Sequence, residues 1–313
     1  MAEAASLAAG LRGELRSDEP MRGHVSWRAG GPVARAYRPA DLADLGAFLA
    51  GLRRDEPLLL VGLGSNLLVR DGGFDGTAIF THGALDGLRR EDDGSFYAEA
   101  GVAAPKLARF VGRHGHGEAE FLAGIPGTVG GALAMNAGCH GGETWRYVER
   151  VLMLDRAGRQ VQRTTQDFAV GYRHVGLKQA SDEVFAAAWF RFPPGDAAAA
   201  AARTRELLQR RVATQPLALP NAGSVFRNPP GDHAARLIEA AGLKGSWIGG
   251  AQVSEKHSNF IVNPGGAATA TAIELLIGRI QADVAAKFGV RLVREVRIVG
   301  VAADRAGRDG EGA

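Results

Sequence analysis

Gly124-Ile125-Pro126-Gly127-Thr128-Val129-Gly130-Gly131 is the stretch on which the reading of this chain turns, and it has a counterpart in Gly62-Leu63-Gly64-Ser65-Asn66. Each run bares several backbone N–H groups with no Cβ in the way. Such loops can converge on an anion, and a following helix start adds a favourable dipole. Neither run is a standard nucleotide motif. The third glycine of a G-x-G-x-x-G fingerprint is Leu67 in the first, and no G-K-[ST] closes either one. A single loop of this kind is as well explained by a plain turn. Two of them, about sixty residues apart, suggest a dinucleotide diphosphate held by both.

Working outward, the pattern predicts a helix over 41–52 capped by Asp41, and a strand over 57–63 that stops at the first glycine run. Further strands are expected over 67–70, 77–80 and 96–100, and a helix over 105–114 with proline in its first turn. A hairpin is expected over 148–164 around Ala157-Gly158, followed by a strand over 184–192. A helix over 197–212 comes next, then a loop over 221–230 and a short helix over 233–241. A strand is expected over 260–262. An amphipathic helix over 269–288 is ended by Gly289, and a last strand spans 290–299. Residues 1–22 read as polar and irregular with a short helix, and 302–313 as a disordered tail.

Composition narrows the function. Lys plus Arg number 37 and Asp plus Glu 34, a net charge of +3. The basic residues form no clustered runs, so a phosphate-tracking nucleic-acid surface is not expected. The lone Cys139 excludes an internal disulfide and a cysteine-rich metal site. The eight His residues give no paired metal spacing, so no metal is expected. No signal peptide is evident, and no apolar run reaches the roughly 18–20 residues needed to cross a bilayer. A soluble, cytoplasmic protein is the expectation. Glycine is the outlier: 44 residues, concentrated in a few loops.

Three residues remain ambiguous on sequence alone. Ser224 lies in the rigid polar loop NAGSVFRNP (221–229) without the G-x-S-x-G of a nucleophile elbow, and it reads equally as a turn serine. Glu295 lies in a partly apolar stretch, LVREVRIV (292–299), and is either exposed on a sheet or projected into a cleft as a proton donor. Arg173, after Gly171-Tyr172, either binds a carboxylate bidentately or sits on the surface.

Taken together and in order, seven segments resemble the family of UDP-N-acetylenolpyruvoylglucosamine reductases. They are WRAGGP (27–32), GLGSNL (62–67), GIPGTVGG (124–131) with NAG (136–138), GYR (171–173), NAGSVFRNP (221–229), GGAQVSEKH (249–257) with NFIVN (259–263), and EVRIVG (295–300). The resemblance implies an α+β chain. It would hold a vanillyl-alcohol-oxidase-type FAD-binding module of two subdomains and a C-terminal α+β substrate-binding domain. The implied boundaries are an extension over 1–22, the FAD module over 23–198 with its subdomains parting near 80–85, the substrate domain over 199–301, and the tail over 302–313. Only fifty residues separate Arg173 from Ser224, which favours the short form of the family without an extra substrate-capping loop.

The implied cofactors are FAD and the reductant NADPH. The implied reaction has two halves: NADPH reduces FAD, then the enolpyruvyl group of the UDP-sugar substrate takes a hydride at C3 from flavin N5 and a proton at C2. By motif match, the FAD contacts are Gly62, Gly64, Ser65, Asn66, Gly124, Pro126, Gly127, Thr128, Gly130, Gly131 and Asn136. Ser224 is implied as the proton donor, Arg173 and Glu295 as the pair that polarises the substrate carboxylate, and Asn228 as a contact to the UDP part. This chain departs from the pattern at Cys139-His140, where a small residue and an aromatic are usual, and at His174-Val175, where a Ser usually follows the Tyr-Arg pair. The competing readings are another flavin oxidase on the same module and a non-catalytic nucleotide-binding protein. The expected partners are small molecules, with no nucleic acid, no membrane and no protein partner identifiable.

Overall fold

In the computed structural model, which describes residues 10–303, strands and helices follow the predicted order closely. The strands of the first half are β1 (Glu14–Pro20), β2 (Pro32–Arg38), β3 (Leu58–Val61), β4 (Leu67–Val69), β5 (Phe74–Phe80), β6 (Leu88–Arg90) and β7 (Phe96–Glu99). They are followed by β8 (Gly138–Cys139), β9 (Gly142–Glu143), β10 (Val148–Asp155), β11 (Gln160–Thr164), β12 (Phe168–Gly171), β13 (His174–Leu177) and β14 (Glu183–Phe190). The last are β15 (Trp247–Ile248), β16 (Ala251–Val253), β17 (Ile261–Val262) and β18 (Arg297–Val299). The helices are α1 (Leu42–Gly51), α2 (Ala104–Arg113), α3 (Val129–Met135), α4 (Ala197–Thr214), α5 (Ala234–Ala240) and α6 (Ala270–Phe288).

Local chemistry explains the boundaries. Asp41 caps α1 by accepting from the Asp44 N–H at 2.9 Å. Thr269 caps α6 by accepting from the Ala272 N–H at 3.1 Å, and Gly289 closes that helix at φ 69°. Gly158, at φ 75°, turns the β10–β11 hairpin.

The chain divides into two compact units, neither of which is contiguous in sequence. Among the described residues, the first comprises 10–16, 36–62 and 77–211, and the second 17–35, 63–76 and 212–303. The five-stranded sheet β11-β10-β14-β7-β6 is antiparallel and lies in the first unit. That unit has two cores. One gathers Phe96, Leu107, Val111, Leu133, Val151 and Phe190, and the other Tyr37, Leu45, Phe48, Ile79 and Leu85. The single core of the second unit holds Trp27, Leu68, Phe226, Leu237, Ile273, Leu276 and Ile280. Burying each large apolar side chain contributes about 1.5–3 kcal/mol, which these clusters collect many times over. The three-stranded sheet β15-β16-β17 and the parallel pair β18-β4 also belong to the second unit.

Two expectations are corrected. Residues 14–20 are a strand, not irregular chain, and a 3-10 turn, Met21–Gly23, follows. As the edge of the sheet β1-β2-β5-β3, this strand is held by backbone pairing on one side and needs no apolar pattern. The last strand is confined to Arg297–Val299; upstream of it Arg294 forms only an isolated bridge to Phe226. That upstream segment pairs with a loop, so its alternation breaks down. The expectations for residues 1–9 and 304–313 lie outside the described residues.

Candidate active site

The first unit sets Gly62, where the first glycine run begins, against Thr128 of the second run. β3 ends at Val61, and a Cβ built on Gly62 would lie 2.3 Å from Thr128 Oγ1 and 2.9 Å from its Cγ2. Thr128 is 2% exposed and has nowhere to retreat. The second run is pinned by backbone bonds. Ala104 N–H donates to Gly127 O at 2.9 Å, Val129 N–H to Val102 O at 2.8 Å, and Gly130 N–H to Ala100 O at 2.9 Å. A side chain on Gly130 would meet Ala100 Cβ at 2.9 Å. Gly131 is different: it is exposed, and only Thr128 Oγ1, at 3.9 Å, comes near its Cβ position. Pro126 is exposed too. The result is a glycine-lined cradle that is open at Gly131, and its shape fits a diphosphate. Gly124 also meets a packing requirement, since a Cβ there would lie 2.6 Å from Cys139 Sγ.

Cys139 and His140 thus have a local account. The thiol donates to Phe121 O at 2.9 Å, and burial pushes its pKa up to about 11 against the pull of Arg211 and Arg173. Burial also lowers the His140 pKa, and Arg210, Arg203 and Arg211 push the same way, which keeps the imidazole neutral.

Arg173 occupies the tip of the β12–β13 hairpin, where Gly171 pairs with His174, and its φ is 52°. A branched fork in a left-handed position is uncommon and needs support from its surroundings. The support is Asn136, which is 2% exposed and itself left-handed at φ 42°. Asn136 Nδ2 donates to Glu143 Oε2 at 3.0 Å and to Gly171 O at 3.2 Å, while its Oδ1 accepts from Trp145 N–H at 3.1 Å. In return, Arg173 Nη1 donates to Asn136 O at 3.3 Å and Nη2 to Gly138 O at 2.6 Å. The side chain of Asn136 therefore ties the hairpin that carries Arg173, a job the motif alone did not suggest.

The second unit brings Ser224 and Glu295 together. Glu295 N–H donates to Val225 O at 2.8 Å and Arg227 N–H to Val293 O at 2.9 Å, with Phe226 bridging Arg294 between them. Val225 and Phe226 are each 1% exposed and anchor the pairing in the core. Ser224, one residue before this ladder, is half-buried. Its hydroxyl has no hydrogen-bond partner among the described residues. Gly64, Ser65 and Asn66 belong to this unit as well. Gly64 packs against the backbone of His24 and Val25, and Ser26 N–H donates to Gly64 O at 3.1 Å. Asn66 Nδ2 donates to Glu295 O at 3.3 Å, and Arg297 N–H donates to Asn66 O at 3.1 Å. Asn66 thus fastens the end of the first glycine run to the segment that carries Glu295. Asn228 is exposed, and its Oδ1 accepts from Ala234 N–H at 3.1 Å.

Sequence reasoning gave no role to Glu143 or Asn259, both of which hold site segments by side-chain hydrogen bonds. For Asn259 a signal existed: a polar amide opening the otherwise apolar run NFIV, a place where burial demands partners. Among the described residues there is no cluster of three metal-ligating side chains, and no helix is long and apolar enough to cross a membrane.

A glycine-lined cradle at the end of a strand in one unit, and Ser224 and Glu295 on hydrogen-bonded segments of the other, are features of an FAD-binding oxidoreductase with a C-terminal α+β domain. Residues 33–164 match the family model of an FAD binding domain, and residues 215–299 match that of the UDP-N-acetylenolpyruvoylglucosamine reductase C-terminal domain. The chain is 56% identical over 303 residues to the UDP-N-acetylenolpyruvoylglucosamine reductase of Thiobacillus denitrificans, covering 93% of each chain. It is 59% identical over 290 residues to the reductase of Alkalilimnicola ehrlichii, covering 93% of this chain and 96% of that one. The crystal structure of the Thermus caldophilus reductase superposes with a TM-score of 0.77 at 28% identity, covering 92% of this chain and 99% of that one. The chain belongs to the UDP-N-acetylenolpyruvoylglucosamine reductase family.

Proposed function

We propose that this protein reduces the enolpyruvyl group of a UDP-N-acetylglucosamine enolpyruvate to UDP-N-acetylmuramate, with FAD as cofactor and NADPH as reductant, in the synthesis of peptidoglycan precursors. The observation that carries this reading is the pairing of Ser224 beside Glu295 through the Val225–Glu295 hydrogen bond, within a chain that also holds a glycine cradle fitted to a diphosphate. Gly62, Gly64, Ser65, Asn66, Gly124, Pro126, Gly127, Thr128, Gly130 and Gly131 would hold the cofactor. Asn136 supports this set through the hairpin it ties. Bound FAD supplies the hydride, which it takes from NADPH.

Hydride addition at C3 leaves enolate-like charge on C2 and the substrate carboxylate. Arg173 offers a fixed guanidinium to that carboxylate, and Glu295 a carboxyl group that stabilises the enol by hydrogen bonding. Ser224 Oγ–H delivers the proton to C2. A serine hydroxyl is a weak acid in water, yet an enolate carbon is a strong base, so a positioned hydroxyl suffices. Asn228 contacts the UDP part through its NH2. In this reading residues 23–198 serve the cofactor, in two subdomains parting near 80–85, and residues 199–301 the substrate. The protein acts in the cytoplasm on small molecules alone.

An absorbance spectrum of the purified protein tests the reading. Flavin bands that bleach under anaerobic NADPH and return on adding the enolpyruvyl substrate are the expected result. Flavin bands that NADPH leaves unchanged, or a colourless protein after reconstitution with FAD, contradict it.

A further inference from the structure

The loop that presents Ser224 is held from its other side by a single side chain. Asn259 is 4% exposed. Its Oδ1 accepts from Phe226 N–H at 3.0 Å and its Nδ2 donates to Phe226 O at 2.8 Å. One carboxamide therefore does for Phe226 what a neighbouring strand would do, satisfying both backbone groups at once. The Asn259 backbone joins in, accepting from Val225 N–H at 2.9 Å. On the opposite side, Glu295 N–H donates to Val225 O at 2.8 Å. Val225 and Phe226 are thus the middle of a three-ply ladder whose outer members are Asn259 and the segment that carries Glu295.

This ladder also fixes where Ser224 points. Asn221 bridges Val262, and Val225 bonds Asn259. Between those two ties the Ser224 strand has three residues, 222–224, where its partner has two, Phe260 and Ile261. That is a one-residue bulge, and Gly223 takes its left-handed position at φ 73°. Bulges of this kind turn a neighbouring side chain out of the regular alternation. Without the Asn259 side chain, this end of the bulge keeps only the Val225–Asn259 backbone bond on that side, and a slip by one residue would reverse the facing of every side chain.

We propose that Asn259 is a positioning residue of the reductive half-reaction: its carboxamide locks the bulge that aims Ser224 Oγ and sets its register against Glu295. The proposal rests on the reading of Ser224 as the proton donor. Asn259 is itself buried beneath the loop and acts only through it. Its loss should slow protonation of the substrate while leaving NADPH oxidation by the flavin untouched.

The test compares Asn259→Ala, the same-sized Asn259→Asp, Ser224→Ala and the double variant Ser224→Ala/Asn259→Ala as holoenzymes in rapid mixing. In both Asn259 variants, flavin reduction by NADPH stays within about twofold of wild type and reoxidation by the enolpyruvyl substrate slows at least tenfold. The double variant reoxidises no more than about threefold slower than Ser224→Ala alone, the non-additivity of residues acting as one unit. Amide exchange on the apoprotein gives a readout without turnover. Phe226 N–H loses protection in Asn259→Ala, while Glu295 N–H, bonded to Val225, keeps it. Wild-type reoxidation in both Asn259 variants overturns the proposal. So do equal losses in both half-reactions, additive losses in the double variant, or a general loss of protection across 225–227 and 293–296. Wild-type reoxidation in Ser224→Ala alone instead overturns the proton-donor reading, whatever the Asn259 variants do.

Discussion

Two glycines, Gly62 in the first unit and Gly223 in the second, do different work. At Gly62 the requirement is space, because any side chain would run into buried Thr128. At Gly223 the requirement is conformation: nothing lies within 4 Å of its Cβ position, yet its φ is 73°. The cradle is shaped by what is missing, whereas the Ser224 loop is shaped by polar groups that are present, above all Asn259 and the Glu295 segment. A cofactor that stays bound can be served by a fixed hollow. A proton donor must be aimed, and aiming needs directional hydrogen bonds.

That contrast can be broken or sharpened by experiment. Glu295→Gln keeps the backbone bond to Val225 and removes only the carboxyl. It should slow substrate-driven flavin reoxidation by about 10²–10⁴-fold, the usual range for losing such a group, with reduction by NADPH near wild type in rapid mixing. Wild-type reoxidation in Glu295→Gln would detach Glu295 from the chemistry. Gly62→Ala should act on the cradle alone and weaken FAD retention at least about tenfold, or about 1.4 kcal/mol, measured by fluorescence titration of the apoprotein. Its effect on the fold measured by thermal melting of the apoprotein should be smaller.

Gly223→Ala should cost about 1 kcal/mol through backbone strain and not through a clash, and Gly223→Asn should cost less, because asparagine tolerates the left-handed region. Denaturant melts of the two variants decide it; an equal or larger loss in the asparagine variant would argue for crowding. The smallest effect concerns Cys139. Its thiol is raised to about 11 by burial, whereas an unfolded cysteine titrates near 8.5. The unfolded chain therefore sheds this proton first, and the thiol's contribution to stability falls as pH rises through that window. Alkylation of the native protein at pH 8.5 should be far slower than after unfolding in urea, and should accelerate above about pH 10.

Much of this was legible in the sequence because the features are local. Asp41, Thr269 and Gly289 mark helix ends by chemistry that needs no tertiary partner. The glycine runs announce an anion cradle for the same reason. What stayed hidden depends on neighbours remote in the chain. β1 is a polar edge strand that pairing alone sustains. The second unit recruits β4, whose parallel partner β18 arrives more than two hundred residues later, so it is assembled from segments far apart in the sequence. Asn136 is expected as a cofactor contact from the motif; that its side chain also ties Gly171 in the Arg173 hairpin is not legible there. Asn259 lay inside a recognised motif, but its task appears only when Phe226 is placed across from it.

The central claim is that Ser224 delivers a proton to the substrate and takes no part in loading the flavin. Stopped-flow measurement of both half-reactions in Ser224→Ala tests it most directly. The expected outcome is flavin bleaching by NADPH at close to the wild-type rate and recovery of the flavin bands by the enolpyruvyl substrate slowed by at least about a hundredfold. Recovery at the wild-type rate would contradict the claim, and would leave the pairing of Ser224 with Glu295 as architecture without chemistry.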